Sequence, residues 1–508
     1  MPTTCTSLFL GIDIGTFESK GVLVDASGDV VAEARRPHSL STPLPGHAEH
    51  DAETVWWQGL VEVAQQLMHS PAASAGILAA VGVSAIGPCV LPVDAELNPL
   101  RPAILYGVDT RASAQIDALN ARLGSDAIFE RSGNELTSQS AGPKILWIKE
   151  NEPEIYEQTA HFVTSQSFLV ARLTGEIVID HGTAGYFHPL YDLGAGSWNV
   201  SGCEDFISPE QLGRLAWASE IAGTVTAAAA AATGIPLGTP VIVGTTDAPA
   251  EAISSSAVNS GDMMLMYGSS TYMIQVLDEP VPNEVLWSAP YVFPGSYVLA
   301  AGTSTAGTLT HWLGDLLDLS IPGAPPAEMF VKLVALAEAS VVGANGLLML
   351  PYFSGERTPL HDPDARGVIA GLTLKHTRSD LARAAMEGIA HSIASALASY
   401  DTIARTPSQI FAVGGGTKNR LFLQTVSDIS GSGQTVAETA GAAFGDAALA
   451  AFAVGHLENR NAILAWCRTA HSIAPDPANQ ARLLADHNDF VALYQSTKNL
   501  IHTRVSKG

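Results

Sequence analysis

Two carboxylates and two glycine turns carry the chemical promise of this chain. Asp13 interrupts the apolar run Phe9-Leu10-Gly11-Ile12-Asp13-Ile14 and is followed by Gly15, Thr16 and, a little further on, Lys20. An acid inside an apolar strand is costly to bury unpaired, so Asp13 calls for a metal ion or a phosphate site. Asp247 ends the run Pro240-Val241-Ile242-Val243-Gly244-Thr245-Thr246. The carboxyl end of such a strand is where α/β folds keep their chemistry. By residue type Asp247 equally suits a cap on the helix that follows, read over Ala248 to Ser255. Lys20 is either a phosphate-facing ammonium or a solvated strand residue.

The segment around Asp13 is stated twice. Phe9 to Asp25 reads as an apolar run, a turn of Gly plus hydroxyl, a second apolar run and a closing Asp, and Met263 to Asp278 repeats this around Gly268-Ser269-Ser270. The step from Gly15 to Asp25 is the same ten residues as from Gly268 to Asp278. Such a repeat points to two similar domains, divided here as residues 1–250 and 251–508. Each copy reads as a β-hairpin whose Gly takes a positive φ. Backbone N–H groups and a hydroxyl converging on one point suit a phosphate, and two facing turns suit the phosphates of one nucleotide. A lone Gly-Thr or Gly-Ser turn is often only a turn; the matched pair favours the phosphate reading. Asp13 and Lys20 have no charged counterpart in the second copy before Asp278, which marks one half as catalytic and the other as nucleotide-holding.

The elements that must position these groups alternate. Strand Val30 to Ala34 follows the first hairpin. A helix opened by Asp51-Ala52-Glu53-Thr54 then keeps Val55, Trp56, Leu60, Val63 and Leu67 on one broad face. Strand Ala79 to Ser84 leads into Gly87-Pro88-Cys89 and strand Val90 to Val93, and the Ala227 to Ala232 run reads as a surface helix capped by Thr226. In the second half, Val298 to Ala301 precedes Gly302-Thr303-Ser304-Thr305-Ala306-Gly307, and a helix from Ser379 buries Leu381, Ala385, Ile389, Ile393 and Leu397. Ile410 to Val413 runs into Gly414-Gly415-Gly416-Thr417-Lys418-Asn419, a strand, glycine turn and helix start. That turn suits an adenine or ribose lying on backbone, although turns also use Gly for conformation alone. Glu356-Arg357 reads as an ion pair tying a loop. Strands alternating with helices make this an α/β protein.

Its totals exclude several classes. At 508 residues, with 47% hydrophobic and 15% charged, the chain is globular and long enough for two domains. Fifty acids against 26 bases leave a net charge of −24, which opposes binding to nucleic acid or an acidic membrane surface. Cys5, Cys89, Cys203 and Cys467 show no metal-ligand or redox spacing, so a reduced, cytoplasmic setting is expected. No apolar run reaches the roughly 18 residues of a membrane span.

With the hairpin pair, the strand-end Asp247 and the Gly414 turn in this order, the chain resembles the FGGY family of carbohydrate kinases, in its xylulokinase-like branch, nearly end to end. Gly11-Ile12-Asp13-Ile14-Gly15-Thr16, Gly244-Thr245-Thr246-Asp247, Gly302 to Gly307 and the stretch Gly371 to Gly388 carry the resemblance. It implies two ribonuclease H-like domains of the actin and sugar-kinase ATPase type around an interdomain cleft, with magnesium ATP mainly on the second domain and a small sugar or polyol on the first. Asp247 matches the family's general base, and Asp13, with Asp247, the acids that hold Mg2+. Gly15, Thr16 and Lys20 match the groups that meet the transferred phosphoryl, and Gly268, Ser269, Ser270, Gly302 and Thr303 those that meet the opposing phosphates. Gly414, Gly415, Gly416 and Asn419, together with the small-residue helix Gly441 to Ala448, match the adenosine site. A homodimer is an assembly such enzymes commonly form.

The resemblance weakens in the sugar pocket. Xylulokinases share a Met-His-Gly segment where this chain has Gly87-Pro88-Cys89, and their Trp-Asn-Asp-x-Arg appears as Gly107-Val108-Asp109-Thr110-Arg111. The expected sugar-binding residues are therefore Gly87, Pro88, Asp109 and Arg111, with a local salt bridge as the alternative for the last two. The expected activity is ATP-dependent phosphorylation of a terminal hydroxyl of a small sugar or polyol. A kinase for a deoxy-ketose or signalling diol, and a non-catalytic actin-like switch, are the rivals.

Overall fold

A computed structural model describes residues 6–320, 326–403, 405–438 and 441–505; Cys5 lies outside them. The chain forms two compact units, one of Met1–Ser260, Val276–Val298 and Thr439–Arg468, the other of Gly261–Gln275, Leu299–Glu438 and Thr469–Gly508. This differs from a single cut at residue 250, because two later segments belong with the first unit. The reason is visible in the helix Ala442–Ala453. A Cβ on Gly11 would stand 1.8 Å from the Ala443 carbonyl oxygen and one on Gly82 2.2 Å from that of Asp446. The helix thus lies backbone to backbone across two strands of the first sheet, and its small residues serve this packing.

In the first unit the strand order is Ile221–Thr224, Pro240–Ile242, Gly76–Ala85, Thr6–Ile14, Glu18–Asp25 and Val30–Pro37, with Thr245–Thr246 continuing beside Gly76–Ala85. In the second, the corresponding order is Thr469–Ile473, Gln434–Ala437, Gln409–Val413, Asp262–Tyr267, Thr271–Leu277 and Tyr297–Thr303. In each sheet the hairpin is antiparallel and its first strand pairs in parallel with a strand from far along the chain. The repeat read from sequence is thus a repeat of sheet layout. Parallel neighbours require long crossovers, which supply the helices of an α/β fold.

The two hairpins differ at their turns. Four residues separate Ile14 from its partner Ser19, whereas three separate Tyr267 from Thr271. Gly15 and Gly268 do not have the positive φ expected of them. Each turn is closed by its own bond, Gly15 N–H to the Glu18 carbonyl at 2.9 Å and Gly268 N–H to that of Ser270 at 3.0 Å. A Cβ there would come within 3.1 and 3.2 Å of those oxygens, so close approach, not handedness, favours glycine.

The first core gathers Leu10, Ile12, Leu23, Val81, Val83, Trp56, Leu60, Val63, Leu67 and Val241. The Asp51 segment begins as a π-helix, Ala52–Trp57, before Gln58–Met68 continues as α-helix, with Trp56, Leu60, Val63 and Leu67 buried as expected. Thr226 caps Ala227–Thr233 through the Ala229 N–H. Among the described residues no helix is long and apolar enough to cross a membrane.

Candidate active site

The first unit's sheet sets a row of polar residues side by side. Asp13 is the cross-strand partner of Lys20 in the hairpin, Ser84 is the parallel partner of Asp13 on the other side, and Thr245 pairs with Ser84 beyond it. Two residues past Thr245, Asp247 opens the helix Asp247–Ser254. Its Oδ1 accepts the Ala248 N–H at 2.8 Å. Asp247 therefore stands at the strand end and opens the helix without capping it: Thr246 is the N-cap residue, and no side chain makes a capping bond there.

The row ends against buried acids. Ser84 Oγ lies 2.6 Å from Asp446 Oδ2 and 3.3 Å from Asp13 Oδ1, so one hydroxyl proton serves two carboxyl groups. Burial pushes the Asp13 carboxyl up, and repulsion from Asp247 adds to it while Lys20 opposes. Asp247 is pushed up to about 6 by burial, against the Ala248 N–H and Lys20. Glu251, one turn on, rises to about 7 through burial and the Asp247 charge. Asp446 is also raised, chiefly by burial. The Lys20 charge opposes the rise at Asp13, Asp247 and Glu251 alike. Its side chain is half exposed and stands 3.5 Å from Glu18 Oε2.

Such a cluster suits a divalent cation, which would offset the mutual repulsion that raises these groups. Among the described residues no three His, Cys, Asp or Glu side chains converge to hold one ion. Magnesium keeps several waters and takes one or two carboxylates plus substrate phosphates. Asp13 and Asp247 are the acids that fit.

The segments beside this row are loops. Thr16 Oγ1 lies 3.2 Å from the Tyr106 hydroxyl. A Cβ on Gly87 would stand 2.6 Å from Thr246 Cγ2, so the Gly87-Pro88 segment abuts the strand end that carries Asp247. The backbone of Leu105 and Tyr106 is held by the buried Lys144, whose Nζ donates to their carbonyls at 2.6 and 3.0 Å. Burial lowers Lys144 to about 8, with Asp109 opposing. Tyr106, Lys144, Ser84 and Glu251 went unassigned in the sequence, and Asp446 was read only as part of the helix Gly441 to Ala448. A lysine amid Ile145-Leu146-Trp147 and an acid in an alanine-rich helix were the available signals.

Asp109 and Arg111 are not free to bind sugar. Asp109 is fully buried and accepts bonds from the Ala48 N–H at 2.7 Å and the Arg111 guanidinium at 2.7–3.0 Å. Arg111 also pairs with Glu49 at 2.8 Å and lies over the Trp147 ring, and Arg101 joins the same Glu49. The local salt bridge is the role the structure gives them. Two opposite charges two residues apart satisfy one another before either reaches a ligand.

In the second unit three expected segments come together. Ala306 N–H and Gly307 N–H donate to the carbonyls of Ser269 and Gly268 at 3.0 and 3.1 Å, which ties Gly302 to Gly307 onto the hairpin turn. Gly414 has φ +91°, and a Cβ there would stand 2.6 Å from the Tyr267 carbonyl oxygen, directly before Gly268. A Cβ on Gly415 would meet nothing within 4 Å, which leaves that face of the turn open. Among the described residues, the buried hydroxyls of Thr271, Thr303 and Thr305 have no hydrogen-bond partner, and each has a proton to donate. Glu356 Oε1 accepts the Ser304 N–H at 2.7 Å, and the Arg357 guanidinium donates to the Thr303 carbonyl at 2.5 Å, so these two residues tie the loop through its backbone. Asn419 is buried and caps the helix Arg420–Ser430 through the Phe422 N–H, while its amide reaches Met386 Sδ. Its side chain is thus committed within the protein.

Residues 8–254 match the FGGY family of carbohydrate kinases, N-terminal domain, and residues 263–454 the C-terminal domain of the same family. The chain is 29% identical over 496 residues to the xylulose kinase of Escherichia coli (strain K12), covering 96% of this chain and 99% of that one. It is 26% identical to the gluconokinase of Bacillus subtilis (strain 168), with 94% of each covered. The crystal structure of xylulose kinase from Rhodospirillum rubrum superposes with a TM-score of 0.90 at 32% identity, covering 97% of this chain and 100% of that one. Both halves of the chain match, in order, and the chain belongs to the FGGY family of carbohydrate kinases.

Proposed function

We propose that this kinase transfers the γ-phosphoryl group of ATP to a terminal hydroxyl of a small sugar or polyol, with Asp247 as general base. The observation that carries this reading is the placement of Asp247: half-buried at a strand end, next to the Asp13 and Lys20 pair, with its carboxyl poised near 6. A base with a pKa close to working pH is ionised and still able to accept a proton.

When bound, magnesium ATP supplies the phosphoryl group and the positive charge that offsets the charge developing on its oxygens. Asp247 takes the proton of the attacking hydroxyl. Thr16 sits on the first turn and Lys20 on the strand beside it, opposite Asp13, which supports a role for both in meeting the transferred group. The second unit's turn, its tied loop and the glycines at 414–416 support nucleotide binding there.

For the substrate, xylulose kinases and a gluconokinase are among the relatives, and the pocket of this chain supports a small neutral sugar or polyol. Its Gly87-Pro88-Cys89 segment offers no histidine, and Asp109 and Arg111 are committed elsewhere. A site with fewer hydrogen-bonding side chains suits a substrate with fewer hydroxyls. The free thiols Cys89, Cys203 and Cys467 and a reaction fed by ATP support a cytoplasmic setting.

The test is ADP release from magnesium ATP across a panel of three- to six-carbon ketoses, deoxy-sugars, polyols and aldonates, with Asp247→Asn as the blank. Turnover with a neutral compound, absent in the blank, supports the reading. Turnover with aldonates alone overturns the substrate class, and none with any compound overturns the activity.

A further inference from the structure

We propose that Asp180 is a positioning residue for the reaction: by gripping the Thr245 side chain it fixes the strand end that presents the Asp247 carboxylate. The inference rests on the reading of Asp247 as the base.

Asp180 ends the strand Val178–Asp180, held alongside Arg214–Ala216 with Ala216 opposite it. Its side chain is fully buried. Oδ2 accepts two hydrogen bonds, from the Thr183 N–H at 2.9 Å and from Thr245 Oγ1 at 3.0 Å. Gly182 leaves the room for this, since a Cβ there would stand 2.9 Å from the same oxygen. The other oxygen, Oδ1, is buried and has no hydrogen-bond partner among the described residues.

The first bond caps the four-residue helix His181–Ala184. Capping alone does not account for an acid here. Ser or Thr caps as well, and a buried carboxyl with an orphaned oxygen carries a desolvation cost that a shorter hydroxyl side chain avoids in part. What Asp180 adds is its reach across 65 positions of sequence to Thr245. Thr245 is held on one side through its backbone pairing with Ser84, and Asp180 holds its side chain. The next residue, Thr246, packs on Gly87. The segment leading to Asp247 is therefore fixed by a backbone ladder, a side-chain hydrogen bond and a close packing contact. Slack of about 1 Å at a reacting group costs on the order of a hundredfold in rate, which is what such fixing prevents.

The test is a double-mutant cycle on sugar-dependent ADP release, using the compound that the panel identifies. Thr245→Val keeps the shape of the side chain and removes its donor; Asp180→Ala removes the acceptor. Each is expected to lower kcat by about tenfold or more, with the KM for ATP changed less than about twofold. Combined, they are expected to cost no more than about twofold beyond the larger single effect, because both delete one interaction. Asp180→Asn, whose amide oxygen accepts the same two bonds, is expected to stay within about threefold of wild type. Effects that multiply, or a Thr245→Val enzyme with unchanged kcat, overturn the inference. If Asp180→Ala does not fold, Thr245→Val and Asp180→Asn decide the matter. Wild-type turnover in Asp247→Asn overturns the base assignment itself, an outcome separate from a failure of the cycle.

Discussion

Gly445 lies against the backbone of Ala250: a Cβ built on Gly445 would stand 1.8 Å from the Ala250 carbonyl oxygen. The helix Ala442–Ala453 is thereby seated on the helix that Asp247 opens. Gly445→Ala has no flexible side chain to displace, so one helix must move. We expect a loss of about 1–3 kcal/mol in denaturant unfolding, together with a lower kcat, because the displaced helix carries the base. A Gly445→Ala enzyme with wild-type stability and turnover would show that this contact does not position Asp247.

The pH profile should report the poised carboxyl. Burial holds Asp247 up to about 6, with the Ala248 N–H and Lys20 pulling the other way. A base works only when ionised, so kcat/KM should fall about tenfold per pH unit below that value. Lys20→Met removes a stabilising charge and should move the acid limb upward. A limb near the ordinary carboxylate range would contradict the assignment.

Glu251 should cost the ligand-free protein stability at neutral pH. Its carboxyl is raised to about 7 by burial and the Asp247 charge. Between the ordinary carboxyl range and that value the folded state holds a proton the unfolded chain has released, so stability falls as pH rises through the window. Glu251→Gln should therefore melt higher than wild type at about pH 8 and no higher at about pH 4. Equal melting temperatures at both pH values would count against this.

Arg111 should matter for stability, not for sugar affinity. Its guanidinium is buried between Asp109 and Glu49. Arg111→Met leaves Asp109 buried with an unpaired charge, a loss of about 3–5 kcal/mol. Urea unfolding and steady-state kinetics separate the two roles. An unchanged unfolding midpoint with a manyfold higher sugar KM would restore the substrate-binding role.

The fold was legible where a local pattern meets a long-range one. The hairpin repeat gave the two similar sheets, and Asp247 fell at the strand end because the apolar run before it could only be a buried strand. The unit boundary was not legible. The helix Ala442–Ala453 follows the second sheet's strands in sequence yet packs on the first, guided by glycines at 11, 82 and 445 whose partners lie hundreds of residues away. Asp109 and Arg111 misled for a related reason: their types suit a sugar, but only the structure shows Ala48 and Glu49 satisfying them. Asp180 and Lys144 carried no motif, because a buried polar residue announces its partner only in three dimensions.

The most direct measurement is the effect of Asp247→Asn on sugar-dependent ADP release, made beside the affinity of the same variant for magnesium ADP. Turnover should fall by about a hundredfold or more while nucleotide affinity stays within about twofold, since the amide keeps the shape of the side chain but cannot accept the proton. A variant that retained wild-type turnover would contradict the role of Asp247 as base.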